Sequence, residues 1–118
     1  MLSEDDYLAL AGRELRLLVR ALDEQVSDEL DAELESDILT IEFSDGHRYV
    51  INSHRAARQI WMAAERTAWH FDWDAPGSRW VASKTGDELW AALNRALSQK
   101  LPNHRLLERP SDSAGPLL

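Results

Sequence analysis

The sequence predicts an α+β fold, a two-layer α-β sandwich in which two terminal helices pack on one face of a six-stranded antiparallel sheet. Helical periodicity of apolar residues occurs near both ends of the chain, and six short segments between them alternate apolar with polar residues. Short turns join consecutive segments, and this favours antiparallel pairing. Two helices can cover only one face of such a sheet. We therefore expect the other face to contact water.

The first helix is predicted to begin after Ser3, which can cap it together with Asp6, and to end near Asp23. Its apolar residues recur at spacings of three and four, the period of one helical face. Leu10 and Leu17 lie off that face, which indicates contact on a second side. The apolar face consists of Tyr7, Ala11, Leu15, Leu18 and Leu22.

The first two strands of the sheet are predicted over residues 30–35 and 38–43. Residues 30–35 alternate apolar with acidic side chains, and outward carboxylates are typical of an edge strand because their charge prevents pairing with another chain. The second strand forms a hairpin with the third, residues 47–52, around the loop of residues 44–46. A two-residue loop would place Phe43 beside Arg48. A three-residue loop with a glycine bulge pairs Ile41 with Tyr49 and collects the large apolar residues on one face, so we predict this register.

The remaining strands are predicted over residues 59–63, 69–73 and 79–83, with Trp61 facing outward and the other four tryptophans in the core or at its rim. A second capping box, Thr85 with Glu88, is expected to open the closing helix. Residues 1–101 are expected to form the domain. Residues 102–118, rich in proline and serine, are expected to be an irregular tail with a frayed end.

Composition excludes several classes of function. The chain has no cysteine, so it has neither a disulfide nor a thiolate site, and no apolar run approaches the ~20 residues of a membrane span. Residues 1–45 hold 14 acidic and 3 basic residues, a net charge of −11, whereas the rest of the chain carries +3. Nucleic acid is therefore not an expected partner. The four histidines fall in separate elements, and neither a nucleophile–base pair nor a phosphate-binding loop occurs. We expect a cytoplasmic protein that is not an enzyme.

The accumulation of acidic residues has two interpretations. Acidic residues in a first helical turn complement the helix dipole, and an acidic strand can be a solvated edge. Their accumulation in two adjoining elements, however, lowers stability by repulsion, which indicates a use. Carboxylates without histidine or cysteine nearby suit hard cations in an open, weak and poorly selective site. The residues are Glu4, Asp5, Asp6, Asp23, Glu24, Asp28, Glu29, Asp31, Glu33, Glu35 and Asp37.

The outward position of Trp61 also has two interpretations. Single exposed apolar residues are common and require no explanation. A tryptophan on the uncovered sheet face, among polar and basic side chains, is nevertheless typical of a binding hot spot, and we favour this reading because tryptophan is unfavourable to leave in water. The chosen register places Thr40, Arg48, Val50, Asn52 and Gln59 on the same face.

Several segments together resemble the bacterial frataxin family (CyaY). They are LTIEFSDGHRYVIN, RQIWMAA, HFDW and RWVASKTGDELWAAL, and the resemblance covers Ser3 to about Leu97. It implies a frataxin-like sandwich, a role in iron–sulfur cluster assembly, and iron binding on an acidic ridge formed by the first helix and the first strand. The ridge maps onto Glu4, Asp6, Asp23, Glu24, Asp28, Asp31 and Glu33, and Glu29 joins them as a candidate metal ligand.

The resemblance also implies a docking surface. The family's asparagine, glutamine and tryptophan on the sheet face match Asn52, Gln59 and Trp61, and Arg48 and Val50 share that face. The implied partners are the cysteine desulfurase and the iron–sulfur scaffold protein, and the implied ligand is iron, Fe2+ or Fe3+, held weakly at the surface. We expect a monomer, with iron-dependent oligomerisation left open. The alternative is an acidic interaction module in which metal binding is incidental and the ridge meets a basic partner.

Overall fold

Two helices flank six strands in the computed structural model, which describes residues 2–25 and 28–110. All six strands form one antiparallel sheet in the order of the sequence, β1 to β6, and the helices cover one of its faces. The predicted two-layer sandwich is confirmed. The elements are α1 (Glu4–Asp23), β1 (Leu30–Glu35), β2 (Ile38–Phe43), β3 (Arg48–His54), a 3-10 turn (Arg55–Ala57), β4 (Gln59–Ala64), β5 (Thr67–Asp74), β6 (Arg79–Ala82) and α2 (Leu89–Lys100).

Helix α1 begins and ends where the sequence predicts. Ser3 Oγ accepts a hydrogen bond from the backbone N–H of Asp6 at 3.1 Å, which satisfies one of the free donors of the first turn. All five residues of the predicted apolar face are buried, and Leu17 on another side is buried as well. Contact on a second side is therefore confirmed. Neither helix of the described chain is long and apolar enough to cross a membrane.

The β2–β3 hairpin has the predicted three-residue register. Ile41 pairs with Tyr49 and Glu42 with Arg48, and the backbone N–H of Phe43 donates to the carbonyl oxygen of His47 at 2.9 Å. Gly46 closes the loop with φ of +92°, a conformation that side chains disfavour. The buried face of this hairpin consequently points toward the helices.

Strand β1 lies at the edge of the sheet, as predicted. Its acidic residues Asp31, Glu33 and Glu35 are exposed, whereas Leu30, Ala32 and Leu34 are half-buried against the core. These charged side chains therefore project from the uncovered face of the edge strand, where they discourage addition of another strand.

The core lies between the sheet and the helices, and four of the five tryptophans contribute to it. Trp80 is 1 % exposed and contacts the ring of Tyr7 edge to face at 6.2 Å and that of Trp73 at 5.4 Å between centroids. Trp90 is buried and Trp69 is half-buried. The prediction that these four side chains belong to the core or its rim is confirmed.

Helix α2 is not capped as the sequence predicts. Its N-cap is Glu88, whose carboxylate accepts hydrogen bonds from the backbone N–H groups of Trp90 and Ala91, and the prediction of Thr85 as the cap is wrong. Glu88 forms an isolated bridge with Val81 of β6, which keeps it extended and delays the first helical turn. Thr85 instead accepts from the N–H of Asp87 in the preceding turn.

The segment after α2 is irregular but attached to the helices. Leu107 is 4 % exposed and joins the core, and its backbone exchanges two hydrogen bonds with the side-chain amide of Asn94 at 2.7 and 3.1 Å. The guanidinium of Arg109 donates two hydrogen bonds to the buried Glu14 carboxylate on α1. The predicted domain end at residue 101 stays a prediction, and the predicted frayed end, residues 111–118, lies outside the described residues.

Candidate functional site

The predicted metal ligands are all exposed. Two stand in the first turn of α1, two at its C-terminal end, two between α1 and β1, and two on β1. In that order they are Glu4 and Asp6, Asp23 and Glu24, Asp28 and Glu29, and Asp31 and Glu33.

The structure does not bring all eight carboxylates together. Glu4 and Asp23 are separated by the length of α1, roughly 28 Å at 1.5 Å per residue, so they cannot share one ion. Glu4 accepts a hydrogen bond from Arg55 Nε at 2.7 Å, and the positive end of the helix dipole stabilises carboxylates in this first turn. The first-turn acidic residues are therefore largely compensated locally.

The carboxylates at the C-terminal end of α1 have a different electrostatic environment from those in its first turn. The helix dipole places partial negative charge there, which adds to the charge of Asp23 and Glu24. Glu24 has a partial counter-charge in Arg20 at 3.6 Å. Within the described chain, Asp23, Asp28 and Asp31 have no cationic nitrogen within 4 Å. We call this end, with Asp23, Glu24, Asp28, Glu29, Asp31 and Glu33, the acidic edge.

A shallow recess of about 300 Å³ opens in the acidic edge and includes a carboxylate that the sequence reasoning missed. Asp28 and Asp31 line it together with Glu42, which is the cross-strand neighbour of Asp31 on β2. Like charges opposite each other on a sheet are destabilising. Glu42 is partly compensated by Arg48 at 3.6 Å. The β1–β2 register could have revealed Glu42.

The acidic edge is a field of charge and not a preformed cage. Over residues 2–25 and 28–110, no three aspartate, glutamate, histidine or cysteine side chains lie close enough to hold one ion together. Exposed carboxylates of this kind can attract hydrated hard cations and cationic protein surfaces. Binding at such a surface is weak and sensitive to salt.

The uncovered sheet face brings four of the five predicted docking residues together, all except Arg48. Asn52 and Trp61 are cross-strand neighbours, and Trp61 Nε1 donates to Gln59 Oε1 at 2.8 Å. Val50 lies two residues before Asn52 on the same face of β3, whereas Arg48 lies four residues before Asn52, roughly 13 Å away along the strand. Arg48 therefore belongs to another part of this face.

Two histidines enclose Trp61, and the sequence reasoning missed both. The imidazole of His54 stacks on one side of the indole with ring centroids 3.7 Å apart and an angle of 10°, and that of His70 stacks with 4.1 Å and 14°. The register pairs Trp61 with His70 and Gln59 with His54, so His54 reaches the indole diagonally. Cross-strand neighbours within such reach were a usable signal.

Ile38 extends this part of the face toward the acidic edge. It pairs with Asn52 and, with 48 % of its surface exposed, is one of the few large apolar side chains among the described residues that water reaches. Tyr7 anchors the opposite side of the sheet, since its hydroxyl donates to the carbonyl oxygen of Gln59 at 2.8 Å. Burial raises the pKa of Tyr7, so the hydroxyl stays protonated as the donor at neutral pH. We call Ile38, Asn52, Gln59 and Trp61 the docking patch.

Residues 1–103 of the sequence match the family model of the frataxin-like domain. The chain belongs to the frataxin family. It is 40 % identical over 103 residues to the iron-sulfur cluster assembly protein CyaY of Cupriavidus pinatubonensis, which covers 84 % of this chain and 90 % of the relative. The CyaY protein of Ralstonia nicotianae is 39 % identical, with 84 % and 88 % covered.

Two solved structures have the same fold. The frataxin of Psychromonas ingrahamii superimposes with a TM-score of 0.80 at 20 % identity and covers 92 % of this chain and 99 % of that one. Yeast frataxin superimposes with a TM-score of 0.68 at 24 % identity, with 86 % and 85 % covered. The family resemblance predicted from the sequence is confirmed.

Proposed function

We propose that this chain is a non-enzymatic, iron-binding protein of iron–sulfur cluster assembly that acts as iron donor or sensor and regulates the cysteine desulfurase–scaffold complex. The observation that carries the proposal is the 40 % identity to a protein named for iron–sulfur cluster assembly. The acidic edge and the docking patch supply two surfaces suited to this role. We place the protein in the cytoplasm as a monomer, with oligomerisation as a response to iron.

Iron binding is assigned to the acidic edge. Its carboxylates belong to the end of α1, the following connection and β1, and several have no cationic neighbour among the described residues. Fe2+ and Fe3+ accept oxygen ligands, and exposed carboxylates on separate elements would hold them loosely, with water completing the coordination. Loose, surface-bound iron suits a protein that transfers the ion or responds to its concentration.

Docking uses both surfaces in this proposal. The acidic edge would meet a basic surface of the desulfurase, because complementary charge accelerates association and selects the partner. The docking patch would meet the scaffold, with Trp61 as the anchor, since a tryptophan amid polar side chains is the usual composition of a hot spot. The two surfaces are adjacent through Ile38, which lies on β2 between β1 and β3.

Catalysis is not part of the proposal, because three of the four histidines contact other side chains and the fourth is half-buried. His47 contacts Asp45 and Lys100, and His54 and His70 stack on Trp61. Burial lowers the pKa of His104, which keeps this imidazole neutral. Cysteine is absent from the sequence.

The alternative function is an acidic interaction module in which metal binding is incidental. It is favoured by one observation, the lack of any three converging metal-binding side chains in the described chain. In that case the acidic edge would serve only to meet a basic partner, and iron would act on it by screening, without site-specific effects.

Iron titration followed residue by residue by NMR, with and without the desulfurase, tests the two functions. A fourfold amide variant of the acidic edge should lose specific iron shifts and dock poorly on the desulfurase, whereas each single change should weaken the shifts modestly. Arg20→Glu should strengthen them by removing the counter-charge of Glu24. The fourfold variant combines Asp23→Asn, Glu24→Gln, Asp31→Asn and Glu33→Gln.

A matched control neutralises the other end of the helix. The variant Glu4→Gln/Asp5→Asn/Asp6→Asn removes three charges from the compensated first turn and should leave the iron shifts of the acidic edge in place. Normal iron binding by the fourfold variant would show that the acidic edge is not the metal site. Loss of docking in that variant, with no iron shifts in the wild-type protein, would establish the acidic-module function.

Docking at the sheet face is tested with Trp61→Ala. The variant should keep nearly all of its free energy of unfolding, since the side chain lies outside the core, and should weaken scaffold binding by about 2 kcal/mol or more if Trp61 is a hot spot. Calorimetric titration measures the affinity, and Arg48→Ala, on the same face but away from the patch, is the control. Unchanged scaffold affinity in Trp61→Ala would exclude the patch.

A further inference from the structure

Trp61 is held between two imidazoles in a way that leaves only its edge for a partner. His54 and His70 cover opposite faces of the indole at 3.7 and 4.1 Å between centroids. The indole N–H is already engaged with Gln59, whose amide in turn donates to Asp72 at 3.0 Å. The remaining accessible part of Trp61 is the rim of its ring.

The two histidines have no other use that the described residues reveal. Among the described residues, neither imidazole makes a hydrogen bond or an ion pair, and Nδ1 of His54 is buried without a partner. Both rings are therefore held by stacking on Trp61 and by their strands. A buried, unpaired ring nitrogen is unfavourable, so the stack must compensate for it.

We propose that His54 and His70 are positioning residues of the docking patch. They fix the indole edge-on, so that a partner meets the rim of Trp61 with Asn52 and Ile38 beside it and does not stack on the ring. This inference rests on the proposed docking function. It adds a mode of recognition, contact with the edge of the indole, and it assigns a role to two side chains that do not themselves anchor the partner.

The benefit of this arrangement is preorganisation. A side chain that must be ordered during binding weakens an interface by about two- to tenfold, and a tryptophan on an open sheet face has several rotamers to lose. Stacking on both faces removes that freedom before the partner arrives. Loss of both imidazoles should therefore weaken docking by about three- to tenfold without changing which surface binds.

Substitution by alanine and by phenylalanine separates positioning from direct contact. His54→Ala/His70→Ala removes the stack, whereas His54→Phe/His70→Phe keeps an aromatic ring on each face without imidazole nitrogens. We expect weaker scaffold binding in the alanine pair and affinity near wild type in the phenylalanine pair. His47→Ala, a histidine remote from Trp61 that contacts Asp45 and Lys100, is the matched control and should bind normally.

The indole N–H resonance of Trp61 reports the stack directly. Ring currents from two stacked rings shift it, so the signal should move toward a random-coil position in the alanine pair and stay displaced in the phenylalanine pair. His70→Ala alone, at an exposed position, should give an intermediate chemical shift of the indole N–H. This single variant tests the stack if the alanine pair folds poorly. Thermal unfolding of each variant identifies losses that come from folding.

The possible results distinguish this inference from the docking function. If Trp61→Ala weakens scaffold binding and the alanine pair does not, the positioning role is wrong and the docking function stands. Tighter binding by the alanine pair would mean that the imidazoles cover a ring face which the partner uses. Failure of the phenylalanine pair to restore affinity would mean direct contact by the imidazoles. No effect of Trp61→Ala would overturn both proposals.

Discussion

Removal of Arg109 should destabilise the protein far more than is usual for a residue in an irregular segment. Its guanidinium donates from Nε at 2.8 Å and from a terminal nitrogen at 3.0 Å to the two oxygens of Glu14, a bidentate pair. Glu14 is 2 % exposed, and its other partner is the indole N–H of Trp90 at 2.6 Å. Arg109→Ala would leave a buried carboxylate with one neutral donor.

The size of the effect follows from the burial of the two partners. Removing one member of a buried ion pair costs about 3–5 kcal/mol, because the remaining charge stays desolvated. The Arg109 side chain is 34 % exposed, so water can reach the vacated position and part of the loss is recovered. We expect a decrease of about 2–3 kcal/mol in the free energy of unfolding, or roughly 10–20 °C in Tm for a domain of this size.

Urea unfolding of Arg109→Ala measures this decrease, and two further variants interpret it. Arg105→Ala removes an exposed cation from the same segment and should change stability by less than about 0.5 kcal/mol. Glu14→Leu/Arg109→Leu replaces the pair by apolar side chains and should recover most of the loss. A cost below about 0.5 kcal/mol for Arg109→Ala would show that the pair does not hold the segment against the helices in solution.

Two further predictions concern charge. Repulsion in the acidic edge should make Tm rise with millimolar Mg2+ by more than sodium chloride of equal ionic strength produces, and an equal rise would leave screening as the whole effect. A hydrogen bond from Lys100 lowers the pKa of Asp45 to about 2, so the stabilisation is complete above the normal carboxyl pKa and disappears as pH falls toward 2. Asp45→Asn should therefore lower Tm at pH 7 but not at pH 2, and a difference independent of pH would contradict this.

Local pattern determined most of the fold. Alternation with period two located the strands and identified the edge strand by its outward carboxylates, and the apolar content of each face together with Gly46 selected the hairpin register. Helix α1 was predictable because Ser3 and the spacing of its apolar residues act within a few positions of the chain. Residues that lie on one face of a strand or helix follow from backbone geometry alone.

The candidate site was predictable only where it depends on local pattern. The acidic residues and the outward Trp61 follow from composition and alternation, but their surroundings depend on strand pairing. The His54–Trp61–His70 stack requires the registers of β3, β4 and β5 at once, and Glu42 becomes a neighbour of Asp31 only through the β1–β2 pairing.

Contacts distant in sequence were decided by the tertiary structure alone. Glu14 reads as a polar residue of an amphipathic helix, yet it is buried because Arg109, 95 residues later, and Trp90 of α2 converge on it. Glu88, and not Thr85, caps α2 because the bridge of Glu88 to Val81 of β6 keeps Glu88 extended, so that the first helical turn begins only after it. Neither outcome can be derived from local propensity, since each depends on which surfaces meet when the helices pack against the sheet and against each other.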